Sequence, residues 1–358
     1  MAQDLLDLYS DYLVCTFGQA TATGLEQLVE GSVSHDQITR SLSGRTRGGV
    51  ELWQVTKRFV RQIQSEDGVL IVDDTISEKL YSDENDIVCW HYDHTSGEVL
   101  KGINLMTALY HVPSRGLSLP VEFRLIAKTE QYVDKKSGKT KRRSPITKNE
   151  YYRMMLQQAV INQIPFKYVL NDVWFAAADN MNFVKHKLKK EFVMPLKANR
   201  KVALSADDKR HGIYVRVDEV VIEPNTVRPV YLEDVSFPLL LAKQIFTNKD
   251  GSTGVLFLVT SDTTLTYDGI TSLYQKRWTI EPFHKSLKQN AALERSPAHT
   301  VTTQTNHIFA SLCAFIKLEM LKRKSKSNHF ALKSHLYLHA VQSAFDALRQ
   351  LQPVTLAA

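Results

Sequence analysis

Two aspartates stand at the ends of runs that read as buried strands. Asp74 closes Val69-Leu70-Ile71-Val72-Asp73, and Asp172 closes Tyr168-Val169-Leu170-Asn171. In an open α/β sheet, active sites form at the carboxyl ends of strands. Two carboxylates facing each other there repel, which a cation relieves. Mg²⁺ suits such a place because it takes oxygen ligands, needs few protein carboxylates and keeps water and substrate phosphate in its other positions. Either Asp taken alone is equally well read as a strand-end turn residue or a helix cap. Asp73 and Asp74 point to opposite faces of a strand, so only one of them can be the ligand.

A third group bears on the choice. Tyr274, Arg277, Glu281 and Lys288 sit at offsets 0, 3, 7 and 14. On a straight helix at about 100° per residue they fall within an arc of about 60°. One stripe then carries a phenol, a guanidinium, a carboxylate and an ammonium, while Leu273, Ile280, Phe283 and Leu287 form an adjacent apolar face. The competing reading is a solvated face on which Arg277 and Glu281, four positions apart, simply pair. Pro282 lies inside the same helix, where it breaks a backbone bond and kinks the axis.

The elements that must position these groups can be read from periodicity. Residues 1–65 are helical: Leu5, Leu6, Tyr9, Tyr12 and Leu13 recur at helical spacing, Thr21–Glu30 ends at Gly31, and Ser34 with Gln37 opens a further helix as a capping box. That helix–glycine–helix outline resembles a helix-turn-helix, with Arg40, Arg45 and Arg47 after the turn as DNA contacts. Beyond Gly68, strands are expected at Ile87–Tyr92, Val99–Tyr110 and Leu117–Ala127. A basic loop, a helix opened by Thr147 and Glu150 and running to about Asn162, and a strand over Phe166–Asp172 complete residues 66–190. This order implies an α/β sheet that is not purely parallel.

Residues 191–265 read as a mostly β insertion, with strands at Phe192–Leu196, Ile213–Val217, Val220–Ile222, Val230–Leu232, Leu239–Phe246 and Val255–Val259, and a turn at Asn248-Lys249-Asp250-Gly251. Residues 266–295 contain the helix with Glu281, and 296–358 are helical, with helices expected near 267–291, 301–323 and 329–350.

The charge distribution favours a polyanion as partner. The net charge is +7, and the bases are clustered: Lys135–Lys148 holds seven and no acid, and Lys185–Lys201 holds seven Lys or Arg against Glu191 alone. Several separate basic segments suit a chain that follows a phosphate backbone; solvated loops and helix faces are the plain alternative for any one of them. With 43% apolar and 23% charged residues the composition is that of a folded soluble protein, not a disordered one. No apolar run reaches the roughly 18 to 20 residues of a membrane span. Met1-Ala2-Gln3-Asp4 opens without the basic region of a signal peptide. Cys15, Cys89 and Cys313 match neither a disulfide framework nor a zinc site, so a reducing cytoplasm is the expectation.

Tyr274-x₂-Arg277-x₃-Glu281-x₆-Lys288, with Trp278 after the arginine, resembles the YREK signature of bacterial insertion-sequence transposases with a DDE triad. Ile71-Val72-Asp73-Asp74-Thr75 is similar to the segment around that family's first aspartate, and Tyr168–Phe175 with Phe192–Lys197 to the region of the second. The resemblance covers about residues 68–320. It implies a ribonuclease-H-like core interrupted by a β-rich insertion, and selects Asp74 over Asp73, since the acid is followed by Thr. It implies that Asp74, Asp172 and Glu281 hold two Mg²⁺ ions (Mn²⁺ can substitute), with Tyr274, Arg277 and Lys288 gripping phosphates. The implied substrate is double-stranded DNA: the element's terminal inverted repeats, cut and then joined to target DNA by a homodimer. The rival expectations are a ribonuclease-H-like endonuclease that cuts without joining, and a non-catalytic DNA-binding repressor derived from a transposase.

Overall fold

Val69-Leu70-Ile71-Val72 is apolar without alternation, the pattern of a strand covered on both faces, and all four residues are fully buried. The computed structural model describes residues 5–93, 97–135, 138–247 and 250–350. Met1–Asp4, Lys136 of the basic loop and the Asn248-Lys249 half of the expected turn lie outside them.

In chain order, helices α1 (Leu5–Cys15), α2 (Ala22–Leu28), α3 (His35–Ser43) and α4 (Gly49–Ile63) precede strands β1 (Val69–Glu78), β2 (Val88–Asp93), β3 (Glu98–Val112) and β4 (Leu117–Leu125). A hairpin of β5 (Glu130–Val133) and β6 (Thr140–Arg143) leads to α5 (Lys148–Ile161), β7 (Tyr168–Asn171), α6 (Ala178–Asn182) and β8 (Glu191–Leu196). Next come β9 (Lys201–Val202), α7 (Ala206–Arg210), β10 (Val215–Arg216), β11 (Val227–Val230), β12 (Leu239–Thr247) and β13 (Thr253–Thr260). The helices α8 (Tyr267–Gln275), α9 (Ile280–Asn290), α10 (Val301–Ser325) and α11 (His329–Gln350) complete the described chain.

The chain divides into two compact units, residues 1–46 with 285–358, and residues 47–284. In the first, α2 and α3 flank Gly31, whose φ of 73° is the left-handed conformation glycine tolerates. The capping box of Ser34 and Gln37 starts α3 as its spacing predicts. Tyr9 of α1 shares a 2.9 Å hydrogen bond with His307 of α10, and Asn306 of α10 donates to the Leu42 carbonyl at 2.8 Å.

The second unit is built on a mixed sheet ordered β11-β12-β13-β8-β7-β1-β3-β2, with β4 also paired to β3. β1 runs antiparallel to β3 and parallel to β7, and β7 runs parallel to β8. β1 is therefore an interior strand, which accounts for its unbroken apolar run. The protein is a mixed α/β structure with one large sheet and surrounding helices.

Four features depart from the sequence expectations. The division falls after Thr46, not after residue 65: α4 belongs with the sheet, where a Cβ on Gly49 would lie 1.7 Å from Glu122 Oε1, and Arg61 donates to the Asn162 and Gln163 carbonyls at 3.1 and 2.8 Å. Within residues 191–265, β8 joins β7 directly, and β13, β12 and β11 continue the same sheet. Val220–Ile222 is not a strand; it connects a 3₁₀ turn at Val217–Glu219 to a turn around Asn225, and its Val221 carbonyl accepts from the Arg228 side chain at 2.9 Å rather than from a neighbouring strand. The helix expected over 267–291 is broken by a 3₁₀ turn at Lys276–Thr279. Pro282 has no N–H for the Trp278 carbonyl and its ring crowds that carbonyl, so regular α geometry fails just before it.

Candidate active site

β1 and β7 run in parallel with Val72 opposite Asn171, so the residues that follow, Asp73 and Asp172, are neighbours; β7 ends there, whereas β1, expected to close at Asp74, runs on to Glu78 because its other edge stays paired with β3. Asp172 caps a 3₁₀ turn at Val173–Phe175, accepting the Trp174 N–H at 3.0 Å. Thr147 and Glu150 cap α5 reciprocally and fix Lys148 as its first residue.

The two acids of β1 have different surroundings, as strand alternation requires. Asp74 Oδ2 accepts the Asn104 side-chain N–H at 2.6 Å and the Lys148 ammonium at 2.8 Å. Asp73 accepts the Asp74 N–H at 2.8 Å, and its Oδ2 is 3.6 Å from Arg277 Nη1. The same Nη1 is 3.5 Å from Glu281 Oε1, so Arg277 bridges the strand acid and the helix acid. Arg277 is buried, its guanidinium packs 4.5 Å from the centre of the Trp278 ring, and its Nε finds no partner among the described residues. The pair differs from a plain solvated helix-face pair on the Arg277 side only, since Glu281 remains exposed and Arg277 also contacts Asp73.

The acids repel one another. Burial, then the charges of Asp172 and Asp74, push the Asp73 carboxyl up to about 8, with Arg277 opposing. Burial, then the charge of Asp74, push Asp172 up to about 6, with the Trp174 N–H and Arg277 opposing. Three carboxyls, two in the middle of β1 and one just after β7, thus sense each other, and Arg277 links Asp73 to Glu281. Acids whose pKa values are raised by burial and by one another in this way cluster at functional sites.

The predicted site residues are distributed as follows. Asp74, Asp172, Glu281, Arg277 and Tyr274 all belong to the unit of residues 47–284. Tyr274 is buried, which raises its hydroxyl pKa, and its ring centre is 5.7 Å from the Arg277 guanidinium. Lys288 lies on the same helix as Glu281 but in the other unit, where it pairs with Glu294 at 2.9 Å. Arg40 and Arg45 belong to that other unit, and Arg47 to the sheet unit.

Sequence reasoning missed Lys148, Asn104 and His91. Lys148 counted only as one base in a run, although the capping box that starts α5 could have fixed its place. Asn104 lies on β3 and reaches Asp74 only through strand register, and His91 on β2 senses its charge without a hydrogen bond to it among the described contacts. Burial, then Lys128 and Lys148, push the His91 imidazole down to about 4, with Asp74 opposing.

The donors are carboxylate oxygens, which suit a hard divalent cation. Among the described residues, no three His, Cys, Asp or Glu side chains are grouped as a ready-made cage. Lys148 and Arg277 supply the positive charge beside these acids in the fold as it stands. Mg²⁺ sites commonly use one or two carboxylates and complete the shell with water and phosphate, so the residues fit such an ion without a full protein cage.

Comparison with known proteins agrees with this chemistry. A family described as DDE superfamily endonuclease matches residues 1–212, and one described as Transposase DDE domain matches residues 145–316. No curated protein sequence matches the chain. Among solved structures, the Drosophila P element transposase strand transfer complex aligns over 99% of this chain and 88% of its own, at 9% identity and a TM-score of 0.28, too low to carry any argument. The match over residues 1–212 takes in more than half of the sequence, and the chain belongs to the DDE superfamily of endonucleases.

Proposed function

We propose that the protein is a DNA transposase of the insertion-sequence type that carries the YREK signature. It binds the terminal inverted repeats of its own element, cleaves the ends by metal-dependent phosphodiester hydrolysis and joins them to target DNA, acting as a homodimer on DNA. The observation that carries this reading is the group of mutually repelling carboxyls in the middle of β1 and just after β7, bridged through buried Arg277 to Glu281. The strand order supports a ribonuclease-H-like core: antiparallel strands β4, β3 and β1, then parallel β7 and β8.

Asp74, Asp172 and Glu281 are the proposed ligands of two Mg²⁺ ions, which Mn²⁺ can replace. When bound, such a pair supplies an activated water and a stabilised leaving oxygen for in-line phosphoryl transfer. The protein's own side chains do the positioning. Arg277 directs guanidinium donors at the reacting phosphate, a role its place between Asp73 and Glu281 supports. Tyr274 packs behind the guanidinium. Lys288 is proposed, with Arg277 and Tyr274, to hold phosphates near the cut, and Arg40, Arg45 and Arg47 are proposed contacts to the inverted repeat. A second choice of first ligand, Asp73, is favoured by one observation, its proximity to the Arg277 bridge.

The test is a donor plasmid carrying the flanking ends of the protein's own genomic locus, incubated with Mg²⁺ or Mn²⁺. A transposase gives joined products, an endonuclease gives nicks only, and a repressor gives binding only.

A further inference from the structure

Lysine is poorly placed at the first position of a helix, where unpaired N–H groups and the helix dipole favour negative charge. Lys148 occupies that position on α5, locked there by the reciprocal cap of Thr147 and Glu150. What holds its ammonium is Asp74 Oδ2 at 2.8 Å, the oxygen that also accepts from Asn104 at 2.6 Å. Asn104 is buried and its Oδ1 has no partner among the described residues, so its amide is committed to orienting Asp74. Lys148 is not committed in that way: its side chain is 43% exposed and can swing into water without stranding a buried charge. Lys128, the neighbouring cation, is occupied elsewhere, donating to the Trp90 carbonyl at 2.6 Å.

We propose that Lys148 is a positioning residue that stands in for a divalent cation at Asp74. In the metal-free protein its ammonium neutralises the carboxylate. Metal entry displaces it, and the freed ammonium turns to a phosphate of the bound DNA. This inference rests on the proposed function, specifically on Asp74 as a metal ligand.

Mn²⁺ binding to the full-length protein without DNA, read by electron paramagnetic resonance, tests it. Lys148→Met should bind Mn²⁺ roughly fivefold more tightly than wild type, the factor lost when a part-exposed ion pair must first be broken. Lys148→Arg should restore wild-type affinity. Lys128→Met, which removes a nearby charge that does not touch Asp74, should change affinity by less than about twofold. With a 30-base-pair duplex in Ca²⁺, Lys148→Met should lower the slope of log affinity against log salt by about one. Unchanged or weaker Mn²⁺ binding by Lys148→Met overturns the proposal, as does an equal gain in Lys128→Met. Absence of Mn²⁺ binding in wild type would instead contradict the proposed function itself. Loss of binding in Asp172→Asn with no change in Lys148→Met would leave that function standing and remove only this role.

Discussion

Asp172 directly follows the last residue of β7, and Asp262 lies two residues beyond the end of β13 in the same sheet, yet their surroundings are opposite. Asp262, after β13, accepts four hydrogen bonds: Lys167 at 2.8 Å and Tyr168 at 2.7 Å on one oxygen, the Thr264 N–H at 3.1 Å and hydroxyl at 2.5 Å on the other. Burial alone would raise its pKa, but the bonds from Lys167, Thr264 and Tyr168 outweigh burial and hold it well below the usual carboxylate range. Asp172 has the Trp174 N–H on one side and the charge of Asp74 on the other, and sits at about 6. One acid is satisfied by its own fold and stabilises a turn. The other is left wanting a cation, which is a cost to the fold and the signature of a site with another purpose.

The largest expected effect separates the acids of the site. Asp74→Asn and Glu281→Gln should each reduce DNA cleavage by several orders of magnitude while leaving DNA binding near wild type, because a metal ligand's charge is lost at nearly constant shape. Asp73→Asn should retain cleavage. The reverse outcome for the two strand acids would move the first ligand to Asp73. Cleavage rates and gel-shift affinities on the same preparations decide it.

Arg277→Ala comes next. A small misplacement of the reacting phosphate can cost about a hundredfold in rate, so single-turnover cleavage should fall by about that factor, with affinity weakened by roughly 1–3 kcal/mol. Wild-type cleavage by this variant would reduce Arg277 to a structural partner of Asp73 and Glu281.

On the structural side of the comparison, Asp262→Asn should lower stability by about 2–4 kcal/mol, since a buried charge-assisted network loses its acceptor. Denaturant midpoints measure this. The smallest effect is its pH dependence. Because the folded-state pKa of Asp262 lies below the unfolded value, its contribution is complete above about pH 4 and is lost as pH falls further. Wild type should therefore lose stability more steeply than Asp262→Asn below about pH 4. Parallel acid-unfolding curves would remove Asp262 from the stabilising set.

The parts of the molecule visible in the sequence are those set by local pattern. The apolar run of Val69–Val72, the Ser34–Gln37 and Thr147–Glu150 caps, and the acid after β7 each depend on a few neighbouring residues, whereas β1 runs past Asp74 to Glu78 because β3 pairs with it there. What was not legible depends on pairing between distant segments. The junction of β8 with β7 and of β13 with β8 is a matter of register, which no local period encodes. The placement of α4 depended on Gly49 meeting Glu122, 73 positions later (122 − 49). Asn104 and Lys148 reached Asp74 through the fold, 30 and 74 positions away. Pro282 was visible, but that it converts Lys276–Thr279 to a 3₁₀ turn follows only from the full helix geometry.

Cleavage of the locus-end plasmid by wild type, Asp172→Asn and Asp262→Asn, each with Mg²⁺ and with EDTA below the melting point of the weakest variant, tests the central claim most directly. The account predicts Mg²⁺-dependent cleavage by wild type and by folded Asp262→Asn, and none by Asp172→Asn although it binds the same DNA. Cleavage by Asp172→Asn at the wild-type rate, or full cleavage by wild type in EDTA, would contradict it.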